Sequence, residues 1–274
     1  MSLTVGHITY ANCAPFFHHL ALCGFSGEIV KGVPAELNRL LSAGELDLCP
    51  SSSIEYARHA TDYQLLPDHS ISSIGPVQSV LLFTETPLNA LSGVPISITG
   101  ESATSVALLQ LLLKEFFEIE DVQIQKEVGT EPIKEMPDHP MLLIGDRALK
   151  ARKQLTGKCM ILDLGELWYH FTGLPFVFAL WIINRNSVAQ KSEEIELFSR
   201  QLKESRQQAL SSLEGLAAAA PEKEWMGVEG LVEYWQKVSY DLDPLHIEGL
   251  NCFYYLLEKH GLIEKAPELE FFSP

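Results

Sequence analysis

Hydroxyl side chains cluster at two points where a buried strand is predicted to end and a helix to begin. The free N–H groups and the positive dipole end of a helix start attract a carboxylate or a phosphate. Hydroxyls at such a position also serve as ordinary helix caps, so both roles stay open. Two such clusters would suit a ligand with two carboxylates. The residues are Ser51, Ser52 and Ser53 in the first cluster, and Ser102, Thr104 and Ser105 in the second.

Two further strand ends carry groups that can act on a ligand. Asn12 follows the first predicted strand, just before a helix that opens at Pro15, and can present its amide. Gly145, Asp146 and Arg147 close a buried strand. There the glycine permits close approach, the aspartate can accept a proton and the arginine can pair with a carboxylate. The alternatives are a turn asparagine and a plain helix start with a surface arginine.

A hydroxyl-rich, β-forming stretch is interrupted by Gly75-Pro76. Ser73 precedes this break and Ser79 follows it. A Gly-Pro break in a strand indicates a special backbone shape. Whether the hydroxyls face a ligand or solvent does not follow from their spacing.

The segment from Asp163 to Trp181 predicts a crossover between two lobes. An apolar strand leads into a short helix that stops at Thr172-Gly173, and Pro175 opens a second apolar run. Trp168 lies where we expect a cleft.

The elements that position these residues alternate between strand and helix in the first half of the chain, which predicts an α/β fold. We expect helices at 15–22 and 34–43, and a mostly helical last third with a helix capped by Ser192. The crossovers divide the chain into two lobes with a ligand cleft between them. Lobe one takes 1–86 and 176–274, and lobe two takes 87–175.

Composition narrows the class of function. The net charge of −16 argues against nucleic acid as a partner. The five cysteines and nine histidines show no metal-binding spacing, and no nucleotide motif is present. We find neither a signal peptide nor a run of about 20 apolar residues that would span a membrane. We therefore expect a cytoplasmic protein without metal or cofactor.

Five motifs in order along the chain resemble the chorismate dehydratases of the futalosine route to menaquinone. The resemblance covers nearly the whole sequence, and the last two motifs are the most specific. The motifs are His-Ile-Thr-Tyr-Ala-Asn at 7–12, Asp-Leu-Cys-Pro-Ser-Ser-Ser-Ile-Glu-Tyr-Ala at 47–57, Ser-Ile-Gly-Pro-Val-Gln-Ser at 73–79, Ile-Gly-Asp-Arg-Ala at 144–148, and the segment 163–179.

The resemblance implies a type II periplasmic-binding-protein fold used by a cytoplasmic enzyme, a monomer or homodimer with no membrane partner. It implies elimination of water from chorismate, a dianion, to give 3-[(1-carboxyvinyl)oxy]benzoate without cofactor or metal. By motif, Asn12 and Ser79 are the catalytic residues, with Ser73 as the alternative serine. Asp146 and the substrate's own carboxylate are both candidate proton acceptors. The two hydroxyl clusters, Gly75, Gly145, Arg147 and Trp168 would contact the substrate.

Two other functions share this fold. One is 1,4-dihydroxy-6-naphthoate synthase of the same pathway, which has a His-Glu-containing motif where this chain has Gly145-Asp146-Arg147. The other is a solute-binding protein of a transporter, for which we expect a signal peptide or a lipidated cysteine.

Overall fold

The computed structural model describes residues 2–99, 103–127, 133, 135 and 138–273. The strands are β1 (Thr4–Ile8), β2 (Glu28–Gly32), β3 (Leu48–Ser52), β4 (Tyr63–Ser73), β5 (Val80–Thr84), β6 (Pro95–Thr99), β7 (Gln123–Glu127), β8 (Met141–Ile144), β9 (Met160–Asp163) and β10 (Phe176–Asn184). The helices are α1 (Ala14–Phe17), α2 (Pro34–Ser42), α3 (Ser53–Arg58), α4 (Ala103–Phe117), α5 (Gly145–Leu155), α6 (Leu164–Thr172), α7 (Arg185–Ser211), α8 (Leu213–Ala219), α9 (Lys223–Met226), α10 (Val228–Trp235) and α11 (Pro244–Lys259). The predicted α/β class is confirmed.

Contacts within the chain define two compact units. Unit 1 comprises Met1–Ile71, Ala179–Leu242 and Pro267–Pro274. Unit 2 comprises Ser72–Phe178 and Asp243–Ala266. Neither unit is a continuous stretch of the sequence.

This division differs from the lobe boundaries expected at 86/87 and 175/176. β5 belongs to unit 2 because it pairs with both β8 and β9. α11 also belongs to unit 2, where it packs on α4 and where Lys259 Nζ donates to Glu115 Oε2 at 2.7 Å. Composition and periodicity do not reveal such partners, since they lie far away in the sequence.

Unit 1 is built on a sheet with the strand order β2-β1-β3-β10-β4. β1 runs parallel to β2 and to β3, whereas β10 runs antiparallel to β3. The runs Leu48–Ser52 and Phe176–Asn184 are almost wholly buried, and the second is almost entirely apolar, as expected for central strands. α2 begins with Pro34 at its first turn and is followed by Gly44 at φ +73°, which agrees with the predicted helix over 34–43.

Unit 2 is built on a second sheet with the strand order β7-β6-β8-β5-β9. β6 runs parallel to β7 and β8, and β5 runs antiparallel to β8 and β9. One face of this sheet packs on α5. That core contains Leu81, Phe83, Met141, Leu143, Ala148, Ala151 and Leu155.

No helix within the described part of the chain is long and apolar enough to cross a membrane.

Candidate functional site

Asn12 lies in a tight 3-10 turn directly after β1. The turn (Ala11–Cys13) is held by the Trp235 indole N–H, which donates to Ala11 O at 2.8 Å, and by Cys13 N, which donates to Tyr10 O at 3.0 Å. The Oδ1 atom of Asn12 is buried and has no hydrogen-bond partner among the described residues. A buried acceptor without a donor is uncommon in native structures and often marks a functional position. The structure thus places the predicted asparagine at a strand end with an unsatisfied amide oxygen.

The serines of the first hydroxyl cluster differ in environment. Ser51 is fully buried in β3 and shares a 3.0 Å hydrogen bond with Cys49 Sγ. Ser52 is at the N-cap position of α3, yet its side chain makes no cap bond, and its Oγ is buried without a partner within the described chain. Ser53 is the first residue of α3 and is also buried. Capping by Ser52, the simpler of the two alternatives for this residue, is therefore not what the structure shows.

The second hydroxyl cluster is only partly within the described structure. Thr104 and Ser105 lie in the first turn of α4 and are buried, with 1% and 2% of their surfaces exposed. Ser102 lies outside the described residues. α4 begins at Ala103.

Residues 73–79 form a tight loop between β4 and β5. The Ser73 hydroxyl donates to Gly75 O at 2.8 Å, so this serine closes the turn. Gly75 has φ +86°, a conformation that glycine adopts without steric cost. Gly165 packs against the same turn: a Cβ at that position would be 2.6 Å from Ser73 Oγ and 2.8 Å from Gly75 O. The loop and the start of α6 are therefore in direct contact.

Ser79 and Gly145 are neighbours on the sheet of unit 2. Gly145 N donates to Ser79 O at 2.8 Å, and the next pair along the ladder is Val80 with Ile144. Gly145 is the first residue of α5 and has φ +57°. The structure therefore brings together two candidates that are 66 positions apart in sequence: the serine and the glycine that opens the 145–147 motif.

Asp146 and Arg147 occupy the first turn of α5, and both are partly buried. Asp146 is the acidic residue nearest to the positive end of this helix, where the dipole stabilises a carboxylate. Asp146 directly follows Gly145, whose N–H donates to Ser79 O.

Asp163, which was not among the predicted site residues, joins the 73–79 loop to α6. As the N-cap of α6, its carboxylate accepts from Gly165 N and Glu166 N. The same carboxylate accepts from Val77 N at 3.1 Å and from Gln78 N at 2.6 Å. Burial raises the pKa of this carboxyl, and the four backbone donors oppose that rise. The capping role was visible in the pattern of an aspartate before a helix, but the bonds to the loop had no sequence signal.

Trp168 is fully buried in unit 2. Its indole N–H donates to Pro175 O at 3.2 Å, and its ring packs edge-on against Phe176 and Phe253. A side chain without exposed surface stabilises the fold in this conformation. Contact of Trp168 with a substrate stays a prediction.

Two histidines of unit 1 are neutral at pH 7. His7, on β1, stacks on Phe17 with a centroid separation of 3.8 Å. Burial, with a smaller contribution from Lys31, lowers the pKa of His7 to about 4. His69 packs edge-on against Phe16, and burial lowers its pKa to about 3. Neither imidazole supplies a positive charge for an anion at neutral pH.

Unit 2 contains a cavity of about 460 Å³. Its size is within the usual range for small-molecule pockets. Asp163 and Gln78 line it, so the loop that carries Ser79 borders this space. The other lining residues are Pro76, Leu81, Arg152, Thr156, Gly157, Cys159, Ile161 and Glu166.

Metal ligands are not grouped anywhere in the described ranges: no set of three or more His, Cys, Asp or Glu side chains there is arranged to hold an ion. The five cysteines are free thiols.

Comparison with solved structures defines the fold class. The crystal structure of protein AF1704 from Archaeoglobus fulgidus superposes with a TM-score of 0.73 at 21% identity, covering 96% of this chain and 98% of that one. The aliphatic sulphonate binding protein SsuA from Escherichia coli superposes with a TM-score of 0.67 at 15% identity, covering 100% and 96%. The chain has the periplasmic-binding-protein fold, as predicted.

Sequence comparison defines the family. The model of the menaquinone biosynthesis family matches residues 3–259. A chorismate dehydratase from Thermus thermophilus is 38% identical over 260 residues, which are 89% of this chain and 91% of that protein. The chain belongs to the menaquinone biosynthesis family, which confirms the resemblance seen in the motifs.

Proposed function

We propose that this chain is a chorismate dehydratase, a hydro-lyase that converts chorismate to 3-[(1-carboxyvinyl)oxy]benzoate and water. The observation that carries the proposal is the 38% identity to the Thermus thermophilus enzyme over nearly the full length of both chains. The predicted motifs add support because they occur in order and are distributed over both units.

The reaction needs little acid–base power from the protein. Loss of the ring hydroxyl and of the hydrogen on the neighbouring ring carbon leaves an aromatic ring, so the product is strongly favoured. The enzyme then has to orient the substrate, exclude water and help hydroxide to leave. Neutral hydrogen-bonding groups such as Asn12 and Ser79 suffice for these tasks.

Asn12 and Ser79 are the proposed catalytic residues. The Asn12 amide has an unsatisfied oxygen for a substrate hydroxyl and an NH₂ group that can donate to the departing oxygen. Ser79 is held at its backbone by Gly145, which fixes the start of its side chain. Ser73 is the weaker alternative, since its hydroxyl already donates to Gly75 O.

The carboxylates of chorismate are assigned to hydroxyls and to one guanidinium. Ser52 has a buried hydroxyl without a partner among the described residues, which suits an anion better than the bonded Ser51. Ser53, Ser102, Thr104, Ser105 and Arg147 complete the proposed set. The proton acceptor is either Asp146 or the substrate's own carboxylate, and Asp146→Asn distinguishes the two. Loss of turnover assigns the proton to Asp146, and retained turnover assigns it to the substrate.

The direct test is to incubate the purified protein with chorismate and to follow the products by chromatography with mass detection. A product lighter than chorismate by one water, with the spectrum of an aromatic ring, is the expected result. EDTA should leave the rate unchanged, because the proposal involves no metal. Chorismate that binds but is recovered intact would identify a binding protein instead, and absence of binding would favour 1,4-dihydroxy-6-naphthoate synthase. The proposal also places the enzyme in the cytoplasm, which free thiols favour.

A further inference from the structure

A single buried carboxylate holds the loop that carries Ser79. Asp163 has 7% of its surface exposed, and its two oxygens accept four backbone N–H groups. Two of these donors, Gly165 and Glu166, belong to the first turn of α6 and are the usual partners of a cap. The other two, Val77 and Gln78, lie in the loop between β4 and β5, 86 and 85 positions away. A cap alone does not need these loop bonds.

The bond to Gln78 N reaches a residue whose backbone conformation is unusual. Gln78 has φ +65°, in the left-handed region that side chains other than glycine rarely adopt. Such a conformation is strained and persists only where surrounding contacts enforce it. Gln78 N is 2.6 Å from Asp163 Oδ2, the shortest of the four bonds. The left-handed residue is therefore held by the carboxylate.

Ser79 follows immediately and is fixed on its other side. Its carbonyl accepts from Gly145 N at 2.8 Å, and Val80 begins β5. The direction in which the chain enters Ser79 is thus set by Gln78, while the sheet sets the direction in which it leaves.

We propose that Asp163 is a positioning residue for the dehydration: it holds Gln78 in the left-handed conformation and so directs the side chain of Ser79. The inference rests on the proposed function in so far as Ser79 acts on chorismate. Asp163 itself is bonded to backbone groups of the protein and is not assigned any contact with substrate.

The variant Asp163→Asn tests the role. Asparagine has the same shape but offers one acceptor oxygen in place of two, and its NH₂ group would face the N–H donors. We expect kcat to fall by about 10- to 100-fold, the usual effect of a small displacement of a reacting group, while KM changes less than about threefold.

Asp243→Asn is the matched control. Asp243 caps α11 by accepting from Leu245 N and His246 N, and it also pairs with His246 Nδ1 at 2.8 Å, but none of these bonds reaches the 73–79 loop. Both variants weaken a helix cap, so loss of the cap alone should affect them alike. If both variants lose the same small fraction of kcat, Asp163 is only a helix cap and the proposal is wrong.

A second-site change separates positioning from general destabilisation. Glycine adopts positive φ at no steric cost, whereas alanine does not. In the Asp163→Asn background, Gln78→Gly should restore kcat by at least about threefold and Gln78→Ala should not, although both remove the carboxamide arm of Gln78. Equal behaviour of the two double variants would overturn the inference.

Hydrogen–deuterium exchange keeps the inference testable without activity. The amides of Gly75 and of residues 77–79 should exchange faster in Asp163→Asn than in wild type or Asp243→Asn. If exchange is faster in Asp163→Asn but the wild type does not turn over chorismate, Asp163 does hold the loop and the proposed function is wrong. Unchanged exchange and unchanged kcat with an active wild type would reject the positioning role alone. If Asp163→Asn does not fold, the single variants Gln78→Val and Gln78→Gly are compared instead, with Asp163 intact. Equal kcat values for these two variants would contradict the proposal.

Discussion

At the scale of single residues, unit 1 carries several buried polar atoms that lack partners within the described ranges. They include Asn12 Oδ1 and Ser52 Oγ, which are both predicted site residues. An unsatisfied buried acceptor costs roughly 1–3 kcal/mol. We infer that these two atoms are retained because a ligand satisfies them.

Asn12→Ala should therefore lose activity without losing stability. Removing the orphaned oxygen relieves a desolvation penalty, so we expect a melting temperature equal to or above that of the wild type. Turnover of chorismate should fall by at least about 100-fold, in the range observed for loss of a transition-state hydrogen bond. Calorimetry and steady-state kinetics on the same preparation measure both quantities.

Asn38→Ala is a suitable control for that variant. Asn38 Oδ1 is also buried without a hydrogen-bond partner among the described residues, but Asn38 lies on α2 and its Nδ2 donates to Glu55 Oε2 at 3.4 Å. It should keep full activity. A parallel loss of activity in both variants would show that asparagine at position 12 has no special role.

Residue types and order were enough to make Asn12 and Gly145 candidates, since strand ends can be located from the sequence, whereas Ser79 became a catalytic candidate through the family resemblance. The partners of those residues were not predictable. Ser73 turns out to bond to Gly75, and Asp163 reaches Val77 across 86 positions. Such bonds depend on which strands become neighbours, and one sequence does not contain that information in its local pattern.

At the scale of elements, the same dependence on distant partners explains where the helix boundaries differ from the predicted ones. We expected a helix over 15–22, but α1 ends at Phe17. The carbonyl of Phe16, which a longer helix would use for Leu20 N, instead accepts from Ser205 Oγ at 2.8 Å. Leu20 N donates to Phe17 O, and irregular turns follow. The ends of α2 are set by the local residues Pro34 and Gly44, and there the predicted range of 34–43 was correct to within one residue.

α7 is interrupted at Lys191, whose φ and ψ of −136° and 33° are not helical. The interruption explains why Ser192 resembled a helix cap, because the helix resumes there. Lys191 Nζ lies 2.7 Å from Asp47 Oδ2, and the Ser187 hydroxyl donates to Asp47 Oδ1 at 2.6 Å. Thr4 N also donates to this carboxylate. One buried ion pair therefore joins α7 to the starts of β1 and β3.

Lys191→Met should destabilise the protein by about 3 kcal/mol at pH 7, because it leaves a buried carboxylate unpaired. Burial raises the pKa of Asp47, but the bonds from Lys191, Ser187 and Thr4 outweigh it and the net pKa is lowered. A lowered pKa stabilises the fold above the unfolded value of about 3.9, and this contribution is lost as pH falls through the folded value. The difference from wild type should thus shrink below about pH 4 in denaturant titrations.

Lys203→Met provides the comparison for that experiment. Lys203 pairs with Asp68 at 3.0 Å, but both side chains are about half exposed, at 49% and 59%. Exposed pairs contribute only about 0–1 kcal/mol. If Lys203→Met lowers the free energy of unfolding as much as Lys191→Met does, burial does not determine the contribution of these ion pairs.

At the scale of the whole molecule, the net charge of −16 opposes a dianionic substrate. Salt screens distant charges over about 8–10 Å, whereas bonds within a buried site are screened much less. We expect kcat/KM for chorismate to rise as ionic strength increases from about 0.01 to 0.15 M, while kcat stays constant. Steady-state kinetics across a sodium chloride series, with sucrose as a viscosity control, measures this effect. A fall in kcat/KM would reveal an attractive local field that outweighs the net charge.

The position of β10 in its sheet has a consequence for synthesis. β10 lies between β3 and β4, although both of these strands are made long before it. At ribosomal rates of roughly 5–20 residues per second, β10 emerges about a hundred residues and on the order of ten seconds after β4. During that interval β3, which is buried in the folded protein, has an open edge, and unpaired strand edges are surfaces that aggregate. The nascent chain should therefore depend on chaperones most strongly while unit 2 is being translated.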